Sequence, residues 1–387
     1  MLQLLAAAVL LLATLLISIS FGRRLGLSAG LCFILFAWHT AATVAYFQFS
    51  LSESADALRY YERALEGAPE ILPGTNAVIL FTRFLAYNIG LNSSNTFLVF
   101  GFIGLLGLLL LVASLNDCAF RSENTRSVLP YIVAFLPGLS FWSSMIGKDA
   151  PAFFAINLMI YASLAPSRRV IALVMATAIL FCIRPHIAMV VVIAAVLGFL
   201  LASGVPAALR LRLLFVMMTI AALMAPLVIN YIGFSADLQF GDISDYVDAR
   251  QDANQGQSTS IALQDMSPPM IAFSYLFRPM PFELPGALGA LAGLENLVLL
   301  VIVIFVTLPR LWKILTDGLF ATRFNLIFFV LSLTILAATT ANLGIAVRQK
   351  IMLLPSLFAL TVLGARSHKT AESADQQLPG AAREFTA

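Results

Sequence analysis

The chain has 387 residues, of which 60% are hydrophobic and 11% charged, and its formal net charge is +3. The core of a soluble protein cannot bury so much apolar side chain, so this composition excludes a soluble enzyme and predicts an all-α, polytopic transmembrane helical bundle. The three cysteines form no C-x-x-C pair, so neither a disulfide framework nor a thiolate metal site is indicated.

The predicted elements begin at the N-terminus with a span that is retained. Its apolar run is followed, not preceded, by Arg23 and Arg24, which is the reverse of a secretory signal peptide. A span needs about 20 mostly apolar residues, and this criterion predicts about 11 spans (10 to 12). They lie near residues 2–20, 26–49, 96–115, 128–146, 150–165, 170–184, 187–203, 213–232, 286–308, 324–341 and 351–365. They form one integral membrane domain over residues 1–366, and residues 367–387 are predicted to be a disordered cytoplasmic tail.

Basic residues are concentrated in every second connection between the predicted spans, and this pattern predicts the orientation of the chain in the membrane. One set of connections is basic throughout, with Arg23, Arg24, Arg121, Arg126, Arg168, Arg169, Arg210, Arg212, Arg310, Lys313, Arg323, Arg366 and Lys369. Cytoplasmic loops carry such an excess, so the chain is predicted to be N-out and C-in. The extracytoplasmic segments are then residues 51–94 and 233–285, and the second contains one long polar loop.

With this orientation, six basic residues fall at the outer ends of spans. Each one alone is equally well explained as an anchor that reaches from lipid to the head groups. Together they oppose the positive-inside bias and predict a shared anion site. They are Lys148, Arg184, His186, Arg278, Arg348 and Lys350.

Four motifs carry these cations: FWSSMIGKDAPAFF, CIRPHI, FRPMPFELPG and NLGIAVRQK. In the second motif, Pro185 predicts a tight turn between two spans, because the residue before proline disfavours the helical conformation. Arginine offers a planar fork to phosphate oxygens, whereas lysine is a point charge. We therefore expect a membrane-embedded ligand with phosphate near the outer surface, such as a polyprenyl-phosphate or polyprenyl-diphosphate sugar.

Carboxylates in the same layer are candidate general bases, because glycosyl transfer to a hydroxyl requires a group that takes its proton. Asp56 is one candidate, and Tyr60 beside it could stack on a sugar. A solvated amphipathic turn explains this segment equally well. Asp149 and Glu283 are rivals, and an alternative for Asp149 is a pair with a neighbouring cation.

Glu295 differs from these acids because it lies about ten residues into a predicted span. Acids at such depth are costly and functional by default. A hydrogen bond to another helix, with His39 as the partner, is the favoured explanation, and a proton relay is the alternative. Glycines in the spans predict close approach of helices. They are Gly101, Gly104, Gly107, Gly289 and Gly293.

The four motifs, in this order, resemble those of bacterial O-antigen and exopolysaccharide polymerases (the Wzy-like and EpsG-like families) and, more distantly, GT-C glycosyltransferases. The resemblance spans most of the chain from Asp56 to Lys350. The chain departs from the pattern of these families in having one dominant outer loop. The first outer segment also lacks the pair of acids that a typical GT-C enzyme shows.

The resemblance implies polymerisation of undecaprenyl-diphosphate-linked repeat units at the outer face of the bacterial inner membrane, without metal, cofactor or nucleic acid. Arg184, Arg278 and Arg348 would hold the diphosphate and stabilise its leaving charge. Lys148, His186 and Lys350 would assist, Asp149, Glu283 and Tyr60 would contact substrate, and Asp56 would be the base. Membrane lipid is an implied partner, as are a flippase and a chain-length regulator.

Several other functions remain open from the sequence. A GT-C-like transferase that uses a polyprenyl-phosphate sugar and an O-antigen ligase are alternatives within the enzyme class. From a different class, a transporter or flippase of lipid-linked or anionic solutes is also possible. Glu295 favours this function, whereas the absence of a detectable internal repeat argues against it. A non-catalytic assembly subunit is a further alternative.

Overall fold

A computed structural model describes residues 1–52, 56–121, 128–203, 207–232, 247–249, 251–252, 259–263 and 265–365. Every regular element in these ranges is helical, and the β pairing they contain is an isolated antiparallel bridge between Ser260 and Asn342. The predicted all-α class is therefore confirmed. The predicted tail and most of the predicted outer loop lie outside the described residues.

The described residues of the first half of the chain form ten α-helices. They are α1 (Leu2–Arg24), α2 (Ala29–Ser52), α3 (Asp56–Glu66), α4 (Thr75–Arg83), α5 (Ser93–Arg121), α6 (Leu129–Ala134), α7 (Pro137–Trp142), α8 (Asp149–Ser163), α9 (Val170–Ile183) and α10 (Pro185–Leu201). A π-helical turn, Phe84–Asn88, follows α4.

Seven more helices with described bounds follow in the second half. They are α11 (Ala207–Ile232), α12 (Pro268–Phe277), α13 (Gly286–Ile302), α14 (Leu311–Thr316), α15 (Phe320–Thr339), α16 (Leu343–Gln349) and α17 (Leu354–Leu363). Short π and 3-10 turns join α13 to α14, and a 3-10 turn, Lys350–Met352, follows α16.

Within the described ranges, five helical segments are long and apolar enough to cross a membrane: Leu2–Arg24, Ala29–Ser52, Ser93–Phe120, Gly286–Thr316 and Phe320–Thr339. A sixth would be the pair Leu343–Met352 and Leu354–Leu363, which is bent by 51°. The predicted number of about 11 spans is not confirmed. The protein has five or six candidate spans in this part of the chain.

Several predicted spans are too short as helices. Predicted span 128–146 is broken into α6 and α7 at Phe135 and Leu136, just before Pro137. Helices α8, α9 and α10 have 15, 14 and 17 residues. At about 1.5 Å per residue they are shorter than the hydrocarbon layer, which is about 30 Å thick. The helices in these regions therefore do not confirm a complete crossing for each predicted span.

The core of the protein lies around α5 and α8, which pack most extensively against each other, and continues to α10 and α15. Helix α8 is largely buried, as expected for a helix that is apolar on all sides. In contrast, the buried residues of α1 are Ser18 and Gly22, while most of its leucines are exposed. Apolar side chains exposed on this scale fit contact with lipid.

The glycines of α5 confirm the predicted close approaches. A Cβ atom on Gly101 would lie 2.4 Å from Thr43 of α2, and one on Gly107 would lie 2.8 Å from Phe153 of α8. A Cβ atom on Gly293 would instead lie 2.6 Å from the backbone of Pro281. The glycines of α13 thus receive the loop between α12 and α13, not another helix as predicted.

Candidate functional site

Asp149, the first residue of α8, is the centre of the candidate site. Its side chain is fully buried, and its Oδ1 accepts a hydrogen bond from Arg184 Nη2 at 2.5 Å. Its Oδ2 accepts from Arg348 Nε, also at 2.5 Å. A buried carboxylate is tolerated when it is paired and hydrogen-bonded, and here two charged donors both pair with it and donate hydrogen bonds to it. The alternative that Asp149 pairs with a neighbouring cation is therefore confirmed.

Arg184 reaches Asp149 from the junction of two helices. Helix α9 ends at Ile183 and α10 begins at Pro185, while Arg184 between them has a non-helical backbone. This confirms the predicted turn and its cause, since Pro185 is the first residue of α10 and disfavours a helical residue before it. Arg184 is 9% exposed, and its Nε has no hydrogen-bond partner among the described residues.

Arg348 joins the buried carboxylate to an exposed one. Its Nη1 lies 3.2 Å from Asp56 Oδ2, and the Asp56 side chain is 52% exposed. Asp56 begins α3, where Arg59 is a second, weaker partner at 3.8 Å. Three motifs and the segment that follows α2 therefore converge on one chain of ion pairs, from Arg184 through Asp149 and Arg348 to Asp56.

A second cluster surrounds Arg278, in the loop between α12 and α13. The Arg278 guanidinium donates to Glu283, with Nε to Oε1 at 2.7 Å, and the Met280 N–H donates to the other carboxylate oxygen at 2.8 Å. Partial burial alone would raise the pKa of Glu283, but the hydrogen bonds from Arg278 and Met280 outweigh it and lower the pKa. Glu283 is thus a partner of Arg278.

Lys350 holds the backbone of this loop. Its ammonium group is buried and donates to the Arg278 carbonyl at 2.9 Å and to Asn296 Oδ1 at 2.8 Å. Asn296 in turn donates to the Pro279 carbonyl at 2.8 Å. The sequence predicted Lys350 as a ligand-binding cation, whereas the structure places its ammonium on protein oxygens.

Glu295 contacts a different partner from the one predicted. Its Oε2 accepts a hydrogen bond from the Gly138 N–H at 2.9 Å, whereas His39 lies 3.2 Å from the Ser144 hydroxyl. The prediction of a bond to another helix is confirmed, and His39 as its partner is wrong. Glu295, Asn296 and Lys350 also line a small cavity of about 20 Å³. This is room for about one water molecule.

The remaining predicted residues lie close in sequence to the ion-pair chain. Lys148 directly precedes Asp149, and His186 is the second residue of α10; both are half-buried. Tyr60 is half-buried in α3, and burial raises the pKa of its phenol. Their contact with substrate stays a prediction.

Sequence reasoning overlooked two contributors. They are Asn296 and Gly138, neither of which is among the predicted site residues. The one available signal for Asn296 was an amide beside an acid within an apolar run. Gly138 leaves room for the carboxylate, because a Cβ atom there would lie 2.5 Å from Glu295 Oε2.

The described residues contain no group of three or more His, Cys, Asp or Glu side chains that could hold a metal ion. Comparisons of this chain with protein-family models, with curated proteins and with solved structures find no match.

Proposed function

We propose that this protein is a glycosyltransferase of the bacterial inner membrane that polymerises undecaprenyl-diphosphate-linked repeat units at the outer face, with an N-out and C-in orientation. The observation that supports it best is the chain of ion pairs around Asp149. It brings Arg184 and Arg348 together and leaves the half-exposed carboxylate of Asp56 beside them. A transfer site of this class needs cations for the leaving group and a base for the acceptor.

In the proposed reaction, a hydroxyl oxygen of the acceptor unit attacks the anomeric carbon of the donor glycan. A new C–O glycosidic bond forms, and the bond between that carbon and the diphosphate oxygen breaks. Its electron pair stays on the lipid diphosphate, where Arg184, Arg278 and Arg348 would stabilise the added charge. The hydroxyl proton would pass to Asp56.

Arginine geometry suits this role because the carboxylate of Asp149 occupies only part of each guanidinium group. Arg348 binds Asp149 through Nε and Asp56 through Nη1, while Arg184 binds Asp149 through Nη2. Two planar forks fixed on one buried carboxylate are pre-organised for phosphate oxygens. Lysine in either place would not offer this fork. A GT-C-like transferase or an O-antigen ligase would use the same geometry with another donor or acceptor.

The second candidate is a transporter or flippase of lipid-linked or anionic solutes. The observation that favours it is that Glu295 and the buried Lys350 line one cavity, with Glu295 inside a candidate span. Ionisable residues at such depth are typical of proton and substrate pathways. The ion-pair chain around Asp149 is not explained by this function, so we rank it second.

The test is the polymer length distribution in cells that lack the gene, complemented with wild type or with Arg184→Ala, Arg278→Ala or Arg348→Ala at matched membrane levels. Arg63→Ala is the matched control, since Arg63 is exposed in α3. We expect single lipid-linked units to accumulate on the outer leaflet with the three site variants, and normal polymer with the control. Units confined to the cytoplasmic leaflet would favour the transporter. Full complementation by all three variants would refute the proposed site.

A further inference from the structure

The two ends of the Arg348 side chain meet carboxylates in opposite environments. Nε donates to Asp149, which is fully buried, at 2.5 Å. Nη1 lies 3.2 Å from Asp56, which is 52% exposed. An exposed ion pair contributes little and is screened by salt, whereas a buried pair cannot be broken cheaply. The contact with Asp149 therefore fixes Arg348, and the contact with Asp56 is exchangeable.

We propose that the Asp56 carboxylate and a phosphate group compete for the same donor, Nη1 of Arg348. The phosphate group is that of a lipid-linked diphosphate or of free pyrophosphate, which share this chemistry. A phosphate oxygen accepts from a guanidinium in the same way as a carboxylate oxygen does. Asp56 thus occupies the phosphate position and leaves it when the phosphate binds.

The charges of the cluster support this exchange. Arg184 and Arg348 carry two positive charges, and Asp149 and Asp56 carry two negative charges, so this set of four is neutral. A phosphate group that approaches the neutral set meets Asp56 as a like charge at the very donor it needs. Once Asp56 has turned away, the remaining three residues carry one net positive charge.

Asp56 can leave without disturbing the fold. The buried residues of α3 are Ala57 and Ala64, so its packing does not depend on Asp56. Rotation of the short Asp56 side chain is enough to place its carboxylate in solvent or beside Arg59, which is 3.8 Å away. Arg348 keeps its position throughout, because Asp149 holds its Nε.

For the glycosyl transfer proposed above, on which this role rests, the exchange has a mechanistic consequence. While Asp56 Oδ2 accepts from Arg348 Nη1, this hydrogen bond holds the carboxylate on the arginine and away from an acceptor hydroxyl. Binding of the diphosphate would release Asp56 from Arg348 when the acceptor proton has to be taken. Donor binding and activation of the base would then be one event.

The experiment measures binding of inorganic pyrophosphate to the full chain in nanodiscs at one fixed ionic strength, by isothermal titration calorimetry. The variants are Asp56→Asn, which removes the competing charge, and Glu62→Gln, which removes an exposed charge from the same helix. Both change exposed residues, so both are expected to fold, which their thermal unfolding checks. Asp56→Asn combined with Arg348→Gln tests the donor itself.

We expect Asp56→Asn to bind pyrophosphate about 2- to 5-fold more tightly than wild type, which is the range of an exposed ion pair. Glu62→Gln should leave affinity unchanged, and Arg348→Gln should remove the gain. Equal tightening by both single variants would show a general charge effect and overturn the proposal, as would no tightening or no binding by Asp56→Asn. The polymer assay in cells is independent of this result, so the polymerase proposal can fail while the competition stands, or the reverse.

Discussion

Arg348 donates to Asp149 across 199 positions of the sequence, and this 2.5 Å contact ties α16 to the first turn of α8. Arg184 binds the other oxygen of the same carboxylate. Since α8 is largely buried and packs extensively in the core, the position of both arginines is set by the packing of the whole bundle. The site is therefore rigid on its inner side and open at Asp56.

Asp149→Asn should destabilise the protein strongly, because it leaves two arginines without their buried counter-charge. Removal of one partner of a buried ion pair typically costs about 3–5 kcal/mol. Thermal unfolding in nanodiscs measures the loss. The control is Glu62→Gln, an exposed change in α3, which should cost about 1 kcal/mol or less. Equal losses for the two variants would contradict the central role of Asp149.

Much of this arrangement could be predicted from local sequence. Pro185 predicted the turn that positions Arg184, and the glycines of α5 predicted its close contacts. What sequence could not supply was the pairing, because Asp56, Asp149 and Arg348 lie on elements whose approach depends on tertiary packing. The predicted span count is not confirmed for a related reason: a short helix buried in protein is as apolar as one that crosses lipid.

Gly293→Ala should displace the loop that carries Arg278. The added Cβ atom would lie 2.6 Å from Pro281 N and 2.7 Å from the Met280 carbonyl, and backbone cannot move aside as a flexible side chain does. Overpacking of this kind costs about 1–3 kcal/mol. We expect a lower unfolding temperature and shortened polymer. Gly30→Ala, whose Cβ atom would meet nothing within 4 Å, is the control and should retain both.

The contact between Arg278 and Glu283 should fail in acid. The Glu283 carboxylate has a pKa below the usual value, so the folded state favours its ionised form. The resulting stabilisation is complete above the unfolded pKa of about 4.3 and disappears as the pH falls through the lower folded pKa. The difference in unfolding temperature between wild type and Glu283→Gln should be constant from pH 8 to 5 and shrink below about pH 4. A difference that changes between pH 8 and 6 would contradict this assignment.

Lys350→Met distinguishes a positioning role from contact with substrate. The variant leaves the Arg278 carbonyl and the Asn296 amide oxygen without the donor they have now, and such unsatisfied buried groups cost about 1–3 kcal/mol each. We expect lower stability and faster hydrogen exchange at Met280, whose N–H depends on the loop that Lys350 anchors. Asn296→Ala should reproduce both effects, because it removes the bond to Pro279 in the same loop. Lys313→Met, an exposed change in α14, should cause neither. If Lys350→Met stops polymer formation while stability and exchange stay as in wild type, Lys350 acts on the substrate directly and does not act through Arg278.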